Sequence, residues 1–248
     1  MPDRPSLFHL LRTVFFLIPA IAIYTIVLGA LSVGSSFFDR RGYFAHGCAR
    51  AWSSLILATT RVEVRVEGLD RVEPRRTYVF VSNHQSIYDI PVLFWSLPFQ
   101  LRIIAKDSLG RFPVLGPHLR RTGHMLVDRS RPNRTGIFEW ARLLTSKGLS
   151  LIVFPEGTRS RDGHLGKFKG GTLLLAMQAG LPIVPVSVVG SRHVMRKGEL
   201  TTRPGTVTLV VHPPIETSAT QQPSTADVRA LSDRVRAIIQ PPVEAEAG

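Results

Sequence analysis

The chain contains very little cysteine and relatively little negative charge. Cys48 is the only cysteine among 248 residues, which excludes an internal disulfide and a thiol-rich metal site. Only 18 acidic residues stand against 31 lysines and arginines, so the formal net charge is +13. This excess of positive charge predicts an anionic partner, and composition alone leaves open whether it is nucleic acid, a membrane surface or a phosphorylated ligand.

Several motifs of common functional sites are also absent. The sequence has no phosphate-binding loop, no dinucleotide-binding fingerprint and no Gly-x-Ser-x-Gly nucleophile turn. Histidine and cysteine do not recur at metal-ligand spacing, so no metal site is predicted. No recognition helix, zinc-finger spacing or aromatic-basic RNA motif is present, and we therefore expect no nucleic-acid partner.

Charge is missing altogether from the N-terminal segment between Thr13 and Phe38. A helix rises ~1.5 Å per residue, so ~20 apolar residues cross a bilayer, and the central run 14–31 is nearly that long. The run therefore predicts a membrane anchor. A cleaved signal peptide ending near Ser32-Val33-Gly34 and a buried soluble helix are the alternatives, although the apolar run exceeds the ~7–15 residues of a usual signal core.

A second apolar segment, residues 43–59, carries His46 and Arg50 and is expected to pack beside the anchor or to lie in the membrane interface. Together the two segments define an N-terminal hydrophobic unit, residues 1–60. Slightly more cations follow the anchor than precede it. This asymmetry predicts a protein of the cell membrane whose next domain faces the cytoplasm.

After Thr60 the sequence alternates short apolar strands with helical segments. Strands are predicted around residues 62–66, 78–82, 102–105, 125–128, 149–154, 183–188 and 206–211, and helices around 137–148 and 172–179. This alternation predicts an α/β domain over residues 61–212, a layered mixed sheet flanked by helices. Residues 213–248 are assigned to a C-terminal tail with a helix near 226–239.

The stretch "NHQSIYD", residues 83–89, lies where the strand 78–82 runs into a turn. In a continuous helix five residues rotate by about 500°, so His84 and Asp89 would point about 140° apart and fail to meet. In a tight turn Asp89 can orient the imidazole and raise its basicity, so that the other ring nitrogen takes a proton from an alcohol. The structural alternative is that Asp89, just before Ile90-Pro91, caps a helix and His84 is a turn residue.

A second polar stretch, "FPEGTRS" at residues 154–160, also follows an apolar strand. Gly157 allows a ligand to approach the backbone closely, and Arg159 offers a guanidinium fork that matches phosphate oxygens. The C-terminal end of a strand is where α/β sheets usually bind ligands, whereas a flexible surface loop is the alternative. Lys106 and Arg129 delimit a third, basic stretch, which indicates either an anion site or a solvated surface.

Taken together, these stretches resemble the 1-acyl-sn-glycerol-3-phosphate acyltransferase family, the lysophosphatidic acid acyltransferases. Four sequence blocks occur in the family's order: "NHQSIYD", "GHMLVDR" at 123–129, "FPEGTRS", and "LPIVPVSVVGS" at 181–191. The resemblance covers about residues 62–211, and a hydrophobic N-terminus is also usual in the family. It favours the functional interpretation of His84 and Asp89 over the structural one.

The resemblance implies a membrane-associated enzyme of phospholipid synthesis that moves a fatty acyl group from acyl-CoA or acyl-carrier protein to the free hydroxyl of lysophosphatidic acid. It implies His84 as the general base and Asp89 as the group that orients it, with no cofactor beyond the thioester donor. The residues it implies for the acceptor's phosphate site are Glu156, Gly157, Thr158 and Arg159, with added charge from Lys106 and Arg129. Membrane lipids, the lysophospholipid acceptor and the thioester donor are the expected partners.

Two other functions stay open at this stage. The first is acyl transfer to a different acceptor, such as a lyso-ornithine lipid or glycerol 3-phosphate. The second is a non-catalytic membrane protein that binds lipid, although the intact His84 and Asp89 argue against it.

Overall fold

The computed structural model describes residues 7–39, 41–128, 133–218 and 223–247. Seven strands form one sheet in the order β1-β7-β6-β2-β5-β3-β4. The strands are β1 (Val62–Glu67), β2 (Val79–Ser82), β3 (Leu101–Lys106), β4 (Met125–Val127), β5 (Ser150–Val153), β6 (Ile183–Val189) and β7 (Gly205–Val211). All seven lie within two residues of the predicted positions.

Neighbouring strands run parallel except β6 and β7, which are antiparallel, so the sheet is mixed as predicted. Strand β2 lies between β5 and β6, and all four of its residues are buried. Strands that are covered on both faces need apolar side chains on both, which explains the uninterrupted run Val79-Phe80-Val81. Because β2, β5 and β3 are parallel, their C-terminal ends lie at one edge of the sheet.

Helices cover both faces of this sheet. The helices of the described residues are α1 (Leu7–Arg12), α2 (Ile18–Ser35), α3 (Tyr43–Thr60), α4 (Asp89–Ser96), α5 (Leu115–Arg121), α6 (Arg134–Thr145), α7 (Gly171–Ala179), α8 (Ser191–Val194) and α9 (Thr225–Ala247). One apolar core contains Ile56 of α3 and Leu93 of α4. A second core, on the other face, contains Ala141 of α6, Leu173 of α7 and Val235 of α9.

The N-terminal helices α1 and α2 are joined by a π-helical turn, Thr13–Leu17, into one apolar helix, Leu7–Ser35. Pro19 follows this turn; its ring would clash with the carbonyl four residues earlier in a regular α-helix, and the wider turn accommodates it. Among the described residues this is the one helix long and apolar enough to cross a membrane, by length and composition, and little of it is buried. The helix therefore favours membrane association, while the cytoplasmic orientation stays a prediction.

Helices α2 and α3 pack side by side, as expected for the N-terminal unit. The indole Nε1 of Trp52 donates to Thr25 Oγ1 at 2.9 Å, and the hydroxyl groups of Tyr24 and Thr59 lie 3.0 Å apart. Ser32 Oγ lies 2.7 Å from Nδ1 of His118, which connects α2 to α5. The first two contacts join the apolar helix to α3, and the third holds it against the α/β domain.

The C-terminal helix α9 is longer than predicted. The expected helix near 226–239 extends from Thr225 to Ala247 and passes through Pro241 and Pro242. A proline inside a helix removes one backbone hydrogen bond and normally ends or kinks the helix. Here Val235, Ile239 and Val243 recur every four residues and are fully buried in the second core, and this burial offsets the loss.

Candidate active site

His84 and Asp89 meet in the turn between β2 and α4. Their side chains are joined by a hydrogen bond of 2.7 Å between His84 Nδ1 and Asp89 Oδ2. The backbone leaves β2 in an irregular turn and becomes helical only at Asp89, so the two side chains are not separated by helical rotation. The predicted contact between His84 and Asp89, which requires a tight turn, is therefore present.

The Asp89 carboxylate also organises the turn itself. Its Oδ2 atom accepts the backbone N–H groups of Gln85 at 2.8 Å and Ser86 at 3.0 Å, and the side chain is fully buried. The alternative that Asp89 caps the helix is wrong, because the N-cap position is Tyr88 and the carboxylate points back to the preceding turn. Since Oδ2 receives two N–H groups, it is an acceptor toward the imidazole too. The proton of the ring then belongs on Nδ1, which leaves Nε2 with a free electron pair.

The imidazole of His84 is held between neighbouring strand ends. Its ring stacks on Phe154, which follows β5, with ring centroids 4.2 Å apart. The His84 carbonyl accepts the backbone N–H of Ser160 at 2.8 Å. Only 12% of the His84 side chain is exposed, so the ring is fixed in place while one edge stays accessible.

The Glu156 carboxylate joins the His84 turn to the backbone at Gly166. Its Oε1 accepts the backbone N–H of His84 at 2.8 Å, and its Oε2 accepts that of Gly166 at 2.9 Å. Burial raises the pKa of the Glu156 carboxyl, and the two backbone N–H groups oppose this shift. Both oxygens therefore already accept backbone amides, and the expectation that Glu156 belongs to the acceptor's phosphate site stays a prediction.

The next three residues form a basic loop. Gly157 has φ of +71°, and a Cβ atom there would lie 3.0 Å from Nζ of Lys169. Lys197 donates from Nζ to Thr158 Oγ1 at 3.0 Å and to the Arg159 carbonyl at 2.7 Å. No carboxylate among the described residues pairs with the guanidinium of Arg159. Arg159, Lys169 and Lys197 thus place positive charge around one short loop.

The other predicted basic residues are less closely placed. Lys106 is the exposed last residue of β3, on the same sheet edge as His84. Strand β5 separates β3 from β2, which corresponds to about 10 Å at the usual strand spacing. Arg129 lies outside the described residues.

Three residues that hold the turn to distant segments are not indicated by the sequence. The Asn83 side chain bonds both backbone groups of Val188, through Nδ2 at 2.8 Å and Oδ1 at 2.7 Å. Gln85 donates to the Gly163 carbonyl at 2.6 Å, and Ser86 to that of Met195 at 2.7 Å. Asn83, Gln85 and Ser86 all belong to the block "NHQSIYD", but their partners are remote in sequence and no local pattern points to them.

An apolar cavity of about 260 Å³ lies beside this turn. Its lining combines Ile87 of the turn and Ile90 of α4 with Leu28 of α2 and Trp52 of α3. The N-terminal helices and the turn that carries His84 therefore share one apolar space.

Comparison with protein families gives a match to the family model described as Acyltransferase, over residues 63–189, about half of the chain. The matched region contains the His84 turn, the 154–160 loop and strand β6. It excludes the N-terminal helices, strand β7 and helix α9.

Several named relatives are similar to this chain. A 1-acyl-sn-glycerol-3-phosphate acyltransferase of Limnanthes douglasii is 38% identical over 66% of this chain and 58% of its own length. The alpha enzyme of that name from Homo sapiens is 34% identical over 71% and 62%, so the chain spans about three fifths of these relatives. The crystal structure of the 1-acyl-sn-glycerophosphate acyltransferase PlsC from Thermotoga maritima superposes with a TM-score of 0.80, at 27% identity and over 97% of this chain and 96% of that one.

Proposed function

Because the chain belongs to the acyltransferase family, we propose that it is an enzyme that moves a fatty acyl group from a thioester donor to the free hydroxyl of lysophosphatidic acid, giving phosphatidic acid. The observation that carries this proposal is the His84–Asp89 pair. A buried carboxylate holds Nδ1–H of a partly accessible imidazole, and that arrangement leaves Nε2 ready to accept a proton.

The chemistry needs a base and no protein nucleophile. Nε2 of His84 removes the proton of the acceptor hydroxyl as its oxygen attacks the thioester carbonyl. The tetrahedral intermediate then collapses, the carbon–sulfur bond breaks, and the imidazolium returns the proton to the departing thiolate. Asp89 stabilises the positive charge that His84 carries in between, since it is a carboxylate at hydrogen-bond distance.

The basic loop supplies the acceptor site in this proposal. The Arg159 guanidinium holds two phosphate oxygens of lysophosphatidic acid, and Lys169 and Lys197 add positive charge. Gly157 lets the phosphate approach the backbone, and the Thr158 hydroxyl is positioned by Lys197. Lys106 contributes charge at the periphery of the site, together with Arg129, whose placement stays a prediction.

The apolar cavity suits a fatty acyl chain, because it extends from Ile87 of the catalytic turn to the N-terminal helices. An exposed apolar helix on the same unit brings the site to a membrane, where a lysophospholipid resides. Acyl-CoA and acyl-carrier protein both present the required thioester. No cofactor is needed for this reaction.

The experiment is transfer of a radiolabelled acyl group by membranes that contain the protein. Acyl-CoA and acyl-carrier protein are tested as donors. The acceptor panel is lysophosphatidic acid, glycerol 3-phosphate, lyso-ornithine lipid and a lysolipid without a free phosphate. We expect preference for lysophosphatidic acid. Transfer to lyso-ornithine lipid alone would show a different acceptor for the same acyl-transfer chemistry. Absence of transfer with every donor–acceptor pair would favour a lipid-binding protein over an enzyme.

A further inference from the structure

Helix α9 places one arginine against the backbone at Leu165 and Gly166, which follows the basic loop. Arg236 donates from Nη2 to the Leu165 carbonyl at 3.0 Å and from Nε to the Gly166 carbonyl at 3.4 Å. Its Nη1 donates to Gln240 Oε1 at 2.6 Å, and Gln240 in turn donates to Glu244 at 2.8 Å. The guanidinium is therefore aligned by its own helix and directed at two consecutive carbonyl groups.

The loop that Arg236 contacts is hydrogen-bonded to Glu156, which in turn holds the His84 backbone. The backbone N–H of Gly166 donates to Glu156 Oε2, and Glu156 Oε1 accepts the backbone N–H of His84. Three successive links thus connect α9 to the residue that carries the base. Gly166 and Glu156 are closely packed, because a Cβ atom on Gly166 would lie 2.9 Å from Glu156 Oε2.

We propose that Arg236 is a positioning residue for acyl transfer, which acts through Gly166 and Glu156 to fix the backbone of His84. The inference rests on the proposed function. It goes beyond the four sequence blocks, since α9 lies outside the region that matches the family model, residues 63–189. Helix α9 then helps to position His84, in addition to covering the sheet.

The physical reason is the geometry that a base requires. A displacement of His84 by a fraction of an ångström changes the approach of Nε2 to the acceptor hydroxyl, and reaction rates are sensitive to such changes. Arginine suits this task because its planar fork bonds two carbonyl groups in fixed directions, whereas lysine offers a single charged point. Substrate contacts lie elsewhere, on the basic loop and in the cavity, so loss of Arg236 is expected to affect turnover more than binding.

The test compares Arg236→Ala, Arg236→Lys and Arg234→Ala in the full-length membrane protein. Arg234 is an exposed arginine on the same helix. Its replacement by alanine removes the same charge and leaves the Arg236 loop contacts in place. We expect kcat to fall about 3- to 10-fold in Arg236→Ala, the scale of one or two lost hydrogen bonds, with KM for both substrates within about twofold of wild type. Arg236→Lys should recover part of kcat, and Arg234→Ala should match wild type. Unchanged kcat in Arg236→Ala, or a loss that only follows the fraction of unfolded protein, overturns the proposal.

A second measurement tests the route through Gly166. The Gly166→Ala variant strains the same link, so combining it with Arg236→Ala should reduce kcat little beyond the more damaging single change. Independent effects that multiply would mean that Arg236 acts by another path and would overturn the proposal. Failure of the proposed function is distinguishable, because wild-type protein would then transfer no acyl group at all.

Discussion

Replacing Asp89 by asparagine separates the two roles of this side chain, because it keeps the size and one carbonyl oxygen while removing the charge. In the native protein Oδ2 meets three donors, from His84, Gln85 and Ser86, whereas Oδ1 is buried without a hydrogen-bond partner. An asparagine is therefore expected to place its oxygen at the Oδ2 position. The turn survives, and the amide nitrogen of the asparagine occupies the buried Oδ1 position, which has no hydrogen-bond partner.

The magnitude follows from these contacts. A charged hydrogen bond contributes roughly 1.5–3 kcal/mol, so removing the charge that stabilises the His84 imidazolium should lower kcat about 10- to 150-fold. The buried amide N–H without an acceptor should lower the free energy of unfolding by about 1–3 kcal/mol. Asp89→Ala removes the acceptor of all three hydrogen bonds at once, and both losses should be larger.

The assay is acyl transfer at saturating donor and acceptor, together with thermal unfolding of the detergent-solubilised protein. Asp233→Asn, on the exposed face of α9, is the matched control and should change neither quantity. If Asp89→Asn unfolds at a lower temperature but keeps the wild-type kcat, Asp89 only stabilises the turn, and its proposed role in stabilising the His84 imidazolium is refuted.

Three further predictions concern the acceptor site, the N-terminal helix and a buried histidine. Arg159→Ala should reduce acceptor efficiency about 10- to 150-fold at saturating donor, with partial recovery in Arg159→Lys; an effect on donor dependence alone would contradict its role. The full-length protein should stay in the membrane pellet after alkaline and high-salt washing, and deletion of residues 1–39 should weaken this retention, because apolar burial is not screened by salt; release by salt alone would contradict insertion. Burial, with a smaller contribution from Arg102, lowers the pKa of His46 to about 4. The unfolded chain therefore binds a proton below pH ~6.5 that the folded protein excludes, and His46 lowers the free energy of unfolding by about 3 kcal/mol as pH falls to ~4. His46→Phe, which can pack on Phe94, should reduce the pH dependence in denaturant titrations but not abolish it, because burial also lowers the pKa of His118 and His124; an unchanged slope would contradict the prediction.

The fold was largely predictable because its strands carry local signals. The uninterrupted apolar run Val79-Phe80-Val81, for example, suits a strand covered on both faces. Helix α9 was underestimated because Pro241 and Pro242 are local stop signals, while the burial of Val243 that outweighs them depends on the assembled sheet.

The site was predictable only in part. The spacing of His84 and Asp89 allowed their contact but did not require it, since the outcome depended on whether the chain turned before the helix began. The role of Glu156 was not visible, because its partners are two backbone amides that the sheet and the 157–166 loop bring together. Lys197 lies beyond the recognisable blocks, and only the three-dimensional structure places its ammonium group on the basic loop.

The most direct test of the central claim is acyl transfer by His84→Ala. We predict that turnover falls on the order of 10²–10⁴-fold, the range for loss of a general base, while the protein is still expressed, folded and retained by the membrane. Acyl transfer by His84→Ala at a rate near that of wild type would contradict the role of His84 as the general base, because no other described group holds a proton-accepting nitrogen against Asp89 in this turn.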